Sequence, residues 1–67
     1  MKTIDTYYSD NKKRTAIIKR NEEGVYLIDF YDYDISEMAL TRRLFEDKSL
    51  RYVQDAAENY ALGILNV

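Results

Sequence analysis

The side chains best suited to acid–base chemistry in this chain are five carboxylates: Asp29, Asp32, Asp34, Asp55 and Glu58. Paired carboxylates act as acid and base when their surroundings push their pKa values apart. Histidine and cysteine are both absent, so the usual general base, thiolate nucleophile and soft metal ligand are missing. A zinc site would have to be built from carboxylates alone, and no glycine-rich phosphate loop is present. Asp32 and Asp34 fall in a segment that reads as exposed, and Asp55 and Glu58 fall on the polar side of a helix. The expectation is therefore a solvated acidic surface, with no catalytic residue, no cofactor and no metal site.

The second constellation is basic and aromatic. Lys12, Lys13, Arg14, Lys19, Arg20, Arg42 and Arg43 fall on expected strands or their ends, where Tyr26, Phe30 and Tyr31 could stack on bases. A small sheet backed by one helix is used in this way by integrase arm-type and plant AP2 DNA-binding domains, although architecture alone is an analogy. The charge layout opposes the reading. Residues 1–20 carry a balance of +4, residues 21–41 a balance of −6, and the remainder is neutral, which leaves −2 overall. Backbone binding needs an unopposed basic field. Opposite blocks adjacent in sequence are expected to neutralise each other across a sheet. Nucleic acid is thus the alternative partner, and a disfavoured one.

A third constellation is the set of seven tyrosines. Tyrosine has an apolar body and a polar tip and is enriched at interfaces. Tyr60 is expected in the core. Tyr26, Ile28, Phe30, Tyr31 and Tyr33, joined by Leu62 and Leu65, are candidates for an interface that a helix leaves uncovered.

The elements that must position these residues are sparsely punctuated, since the chain of 67 residues has two glycines and no proline. A chain this short is one domain and buries only about 60% of its unfolded surface. Lys2–Tyr8 and Arg14–Arg20 read as strands, separated by the turn formers Ser9 to Lys12. Residues 25–31 read as the strongest strand, after a loop in which Gly24 takes a positive φ. If that loop has three residues, Ile18 shares a face with Tyr26, Ile28 and Phe30. With four, it joins Val25 and Leu27 instead. Residues 38–45 read as a further strand, or residues 37–45 as a short helix capped by Ser36. The strand is preferred, because the chain otherwise has too few strands to face the final helix.

That helix is the clearest element. Leu50, Val53, Ala57, Tyr60, Ala61 and Ile64 recur at helical spacing between the N-cap Ser49 and the stop Gly63. The fold class is α+β: an antiparallel three- or four-stranded meander with one C-terminal helix on one face, in a single β-β-β(-β)-α domain over residues 1–67. Both sheet faces carry apolar residues, and one helix covers only one. A homodimer through the other face is the expected partner arrangement. The N-terminal residues carry Asp5 where a signal peptide needs an apolar run, and no stretch reaches the length of a membrane span. A cytoplasmic, non-enzymatic interaction module is the expectation.

Several words of the sequence, Tyr7-Tyr8-Ser9-Asp10-Asn11-Lys12-Lys13, Asp29-Phe30-Tyr31, Ser49-Leu50-Arg51-Tyr52 and Asp55-Ala56-Ala57-Glu58-Asn59-Tyr60, resemble small uncharacterised proteins of marine cyanophages. The resemblance implies a phage-encoded protein in a host bacterial cytoplasm, with an unidentified host protein as a further partner. It implies no activity, cofactor or site.

Overall fold

The computed structural model describes residues 1–67, in the order β1 (Lys2–Tyr8), β2 (Arg14–Arg20), β3 (Tyr26–Asp32), β4 (Thr41–Phe45) and α1 (Leu50–Ala61). The strands form one antiparallel sheet in the order β1-β2-β3-β4. This is the α+β meander with a C-terminal helix, in its four-stranded form. The helix over 37–45 does not form. Ser36 accepts the Met38 N–H in a local turn, and the Leu40 N–H donates to the Phe30 carbonyl at 2.8 Å. Residues 38–40 are thereby held in the loop, and the strand begins only at Thr41.

Each turn is closed by side chains as well as backbone. After β1, the Asn11 carboxamide oxygen accepts the Lys13 N–H, and the Ser9 hydroxyl accepts the Arg14 N–H. The left-handed position there is Lys12, at φ 60°, rather than an Asn or Asp. Between β2 and β3, Asn21 Oδ1 accepts from both Glu23 and Val25, and Gly24 takes φ 81°. The loop is the three-residue one, so Arg20 faces Tyr26 and Ile18 faces Ile28. Val25 is spent in closing this loop, which moves the third strand one residue on from the expected 25–31.

The register puts Ala16, Ile18, Ile28, Phe30 and Phe45 on one face, and α1 covers it with Val53, Ala57 and Tyr60. Phe30 and Tyr60 meet edge to face, with centroids 4.8 Å apart. Tyr60 is nearly inaccessible, and its hydroxyl donates to the Tyr31 carbonyl at 2.9 Å. In β1 the ladder slips between Thr3 and Asp5, making Ile4 the extra residue of a bulge, and Ile4 packs against this core.

Ser49 caps α1 by accepting the Tyr52 N–H. At the other end Gly63, at φ 83°, lets its own N–H donate to Tyr60 and the Ile64 N–H donate to Asn59. This paired C-terminal cap satisfies carbonyls that a helix otherwise leaves open. It also turns Ile64 outward, whereas Leu65, off the helical stripe, packs on the core.

Arg14 fixes that end of the helix to the sheet. Its guanidinium lies 4.8 Å from the Tyr60 ring centroid and 3.9 Å from the Asp32 carboxylate. It donates to the carbonyls of Tyr60 and Leu65 and to Asn66 Oδ1. A cation beside a helix C-terminus also complements the macrodipole.

Val53 is fully buried against the sheet, whereas Asp55 is exposed on α1. Val53→Asp is expected to unfold the domain, since an unpaired buried carboxylate costs at least several kcal/mol. Asp55→Ala should change stability by less than about 0.5 kcal/mol. Thermal melts followed by circular dichroism check the ranking, and the opposite order would contradict the helix orientation.

Candidate functional site: the open face of the sheet

The side of the sheet away from α1 carries Thr6 and Tyr8 from β1, Thr15, Ile17 and Lys19 from β2, Leu27, Asp29 and Tyr31 from β3, and Arg42 and Leu44 from β4. Its centre is ionic. Asp29 is only 3% exposed. Arg42 binds it with two parallel hydrogen bonds, Nε to Oδ1 at 2.6 Å and Nη2 to Oδ2 at 3.0 Å. Lys19 Nζ donates to Oδ2 at 2.7 Å.

A charge buried on a sheet persists only when paired and hydrogen-bonded. The strand pairing supplies this arrangement, because Arg42 lies directly opposite Asp29 and Lys19 lies diagonally across on β2. The hydrogen bonds from Arg42 hold the Asp29 carboxyl below its ordinary value, with burial opposing and Lys19 adding to the effect. The same bonds raise the Arg42 pKa.

Around this centre the face is apolar and aromatic. Tyr8 is 60% exposed, Leu44 50% and Tyr33 43%. Ile17 and Tyr31 are half-buried. The Tyr31 and Tyr33 rings stack, with centroids 5.6 Å apart. The loop between β3 and β4 borders a cleft of about 520 Å³ lined by Lys19, Asp29, Tyr31, Glu37, Met38 and Arg42 among others. The Thr15 hydroxyl is buried on this face without a hydrogen-bond partner.

The candidate interface residues divide between the two sides. Tyr31 and Tyr33 belong to the open face. Ile28 and Phe30 do not, because the three-residue loop puts them with Ile18 under α1, where both are wholly buried. Tyr26 shares their side and is half-buried, with the Arg20 guanidinium 5.4 Å from its ring centroid. Leu62 is exposed at the end of α1, beside Tyr8 and the turn that follows β1. Tyr8, Ile17 and Leu44 were not among the expected residues. Their signal was the register itself, since placing Ile18 under the helix turns Ile17 to the other side.

The acids separate in the same way. Asp29 is neutralised within the sheet, Asp32 lies near Arg14, and Asp34 pairs with Lys13 at 3.8 Å. Asp55 and Glu58 are exposed on α1. No group of three or more acids, histidines or cysteines is close enough to hold a metal ion. Three of the four ion pairs join the basic block of residues 1–20 to the acidic block of residues 21–41, so the blocks do meet across the sheet.

The cations are correspondingly dispersed. Lys19 and Arg42 are on the open face, Arg14 and Arg43 on the helix side, and Lys12 and Lys13 at a turn. No helix is long and apolar enough to cross a membrane.

The fold and face define a small α+β protein, a four-stranded meander with a helix on one side and an aromatic, ion-centred surface on the other. Comparison with protein-family models, curated proteins and solved structures finds no match to this chain.

Because the folded pKa of Asp29 is depressed, its ion pairs contribute fully above the ordinary carboxylate value of 3.8 and are lost as pH falls through the folded value. Asp29→Asn is expected to cost about 2–3 kcal/mol at neutral pH. Urea unfolding at neutral and acidic pH should show that gap narrowing below pH 3.8. Tyr60 behaves oppositely. Burial raises its pKa, against the pull of Arg14, so the native state should lose stability as pH climbs above 10.0. Tyr60→Phe should flatten that alkaline loss in the same assay.

Proposed function

We propose that this chain is a non-enzymatic protein-interaction module that associates with a second copy of itself through the open face of the sheet, in a bacterial cytoplasm as the cyanophage resemblance implies. One observation carries the reading: the register puts Tyr8, Ile17, Tyr31 and Leu44 on the side away from the core, Tyr8 and Leu44 exposed on the two edge strands, Ile17 and Tyr31 half-buried between them, and Tyr33 stacked on Tyr31. Large apolar side chains gathered on one face of a small domain are the usual mark of a contact surface.

Charge and size support the same reading. Within the cleft, Lys19 and Arg42 are balanced by Asp29 and Glu37, so the face can be covered without trapping net charge. The molecule measures 32 × 21 × 17 Å. A rectangle on its two longer extents covers roughly 670 Å², so complete burial of such a side on two copies would reach only the lower end of standard interfaces, about 1,200–2,000 Å² in total. The candidate acids are engaged by cations or stand in solvent, which favours binding over catalysis.

Sedimentation at micromolar protein, below the range in which a weaker edge contact would form, is expected to give a species of twice the 8.0 kDa chain mass. The double variant Tyr8→Lys/Tyr33→Lys replaces two exposed rings and should weaken this association at least tenfold while leaving the circular dichroism spectrum unchanged. Short DNA titrated at low salt, where screening is least, should not bind. A chain that is monomeric throughout and binds DNA would replace this reading with the nucleic-acid one.

A further inference from the structure

The two edges of the sheet are built differently. Along β1 the bulge at Ile4 breaks the ladder, and a bulge twists an edge away from regular pairing. β4 has no bulge and no proline, so its outer backbone groups form a straight, unpaired row. Arg42 and Arg43 would ordinarily guard such an edge by repulsion. Here both are already occupied. Arg42 is held by Asp29, and the Arg43 guanidinium lies 5.6 Å from the centroid of its own Phe45 ring.

We propose that β4 pairs antiparallel with β4 of a second copy about a twofold axis at Leu44, joining two sheets edge to edge. Directly opposed residues share a face, so with both helices on the same side only pairings of equal parity are allowed. Centred on Arg43, the pairing sets that arginine against itself. Centred on Phe45, it leaves only that one residue of the strand with a strand residue opposite it. Centred on Leu44, it sets leucine against leucine on the open side and Arg43 against the partner's Phe45 on the helix side, and it brings Arg42 to the partner's Glu46, the first residue of the turn after β4.

Two groups that this register uses, Glu46 and Arg42 Nη1, have no other partner. Glu46 is exposed and makes no ion pair of its own. Arg42 spends Nε and Nη2 on Asp29, leaving Nη1 as a donor for a second carboxylate.

The helix side leaves room for the incoming chain. α1 rests chiefly on β2 and leaves a groove of about 370 Å³ beside β4, lined by Arg43, Phe45, Tyr52, Asp55, Asn59 and Leu65 among others. Asp55 stands at that groove without an ion pair, within the region that the partner's Arg43 enters. Like charges opposite one another destabilise a strand pair, which counts against the Arg43 register, and the length of β4 counts against the Phe45 one, so the Leu44 register is left. A strand of five residues buries less than a standard interface, and the pairing is accordingly concentration-dependent.

The chain has no cysteine, so single cysteines report the register directly. Leu44→Cys brings two thiols together at the axis. Glu46→Cys leaves its two thiols four residues apart along the strand, roughly 13 Å. Both are made in the Tyr8→Lys/Tyr33→Lys background, so that failure of the open-face contact and failure of the edge contact are read separately.

Under mild oxidation Leu44→Cys should yield disulfide-linked dimer at least tenfold faster than Glu46→Cys. Adding Glu46→Arg should slow the Leu44→Cys reaction about tenfold, while Glu58→Arg, the same charge change on the exposed side of α1, should not. Equal rates at the two positions, no cross-link at millimolar protein, or equal effects of the two arginine substitutions would each overturn the pairing.

Discussion

A single guanidinium joins the helix to the sheet at the end where both would otherwise fray. Arg14 begins β2, and from there it reaches the last turn of α1, Leu65 and Asn66 beyond it, and Asp32 at the end of β3. Five donors in a rigid fork allow one side chain to serve several acceptors at once. Tyr60 is fixed between this cation and Phe30, and its hydroxyl is spent on the Tyr31 carbonyl. Val53 and Ala57 pack in the same core cluster as Ile18 and Ile28. That placement commits one face of the sheet to the core and leaves the other to solvent.

The two faces consequently satisfy their polar groups by different means. Under the helix the only large polar side chain at the centre is Tyr60, and it has both a cation and a carbonyl. On the open face Asp29 is held by Arg42 and Lys19 and remains almost inaccessible. Replacing that carboxylate and its cations with apolar residues of similar size could leave stability unchanged, because buried ion pairs repay little beyond their desolvation. What the triad does fix is alignment: a one-residue slip of β4 would separate Arg42 from Asp29 and turn Leu44 under the helix side.

Most of the architecture was legible in the amino-acid order. The alternation of β2 and β3, the loop signal at Gly24, the cap at Ser49 and the stop at Gly63 all act over a few residues, and local sequence carries such effects. The strand at Thr41 was legible as an element but not in its length. Its start depends on the Leu40 N–H meeting the Phe30 carbonyl, a contact between distant parts of the chain. The open face was misread for a single reason. Ile17 and Ile18 are equally apolar, and only the length of the loop after β2 decides which of them the helix covers. Ile28 and Phe30 followed Ile18 into the core, and Tyr8, Ile17 and Leu44 emerged as the surface in their place. Arg42 and Asp29 were visible as charges, but nothing short of the β3–β4 register brings them together.

The position of α1 in the element order has a consequence for synthesis. Each strand pairs with its neighbour in sequence, so the meander can assemble as it leaves the ribosome. Its core side cannot be covered then, because Val53, Ala57 and Tyr60 are the last contributors to emerge. Until they do, Ile18, Ile28 and Phe30 have no helix to cover them, on a sheet whose opposite side carries Tyr8, Ile17 and Leu44 around its ionic centre. The core of the meander is thus completed only by residues 50–61, the last element in chain order.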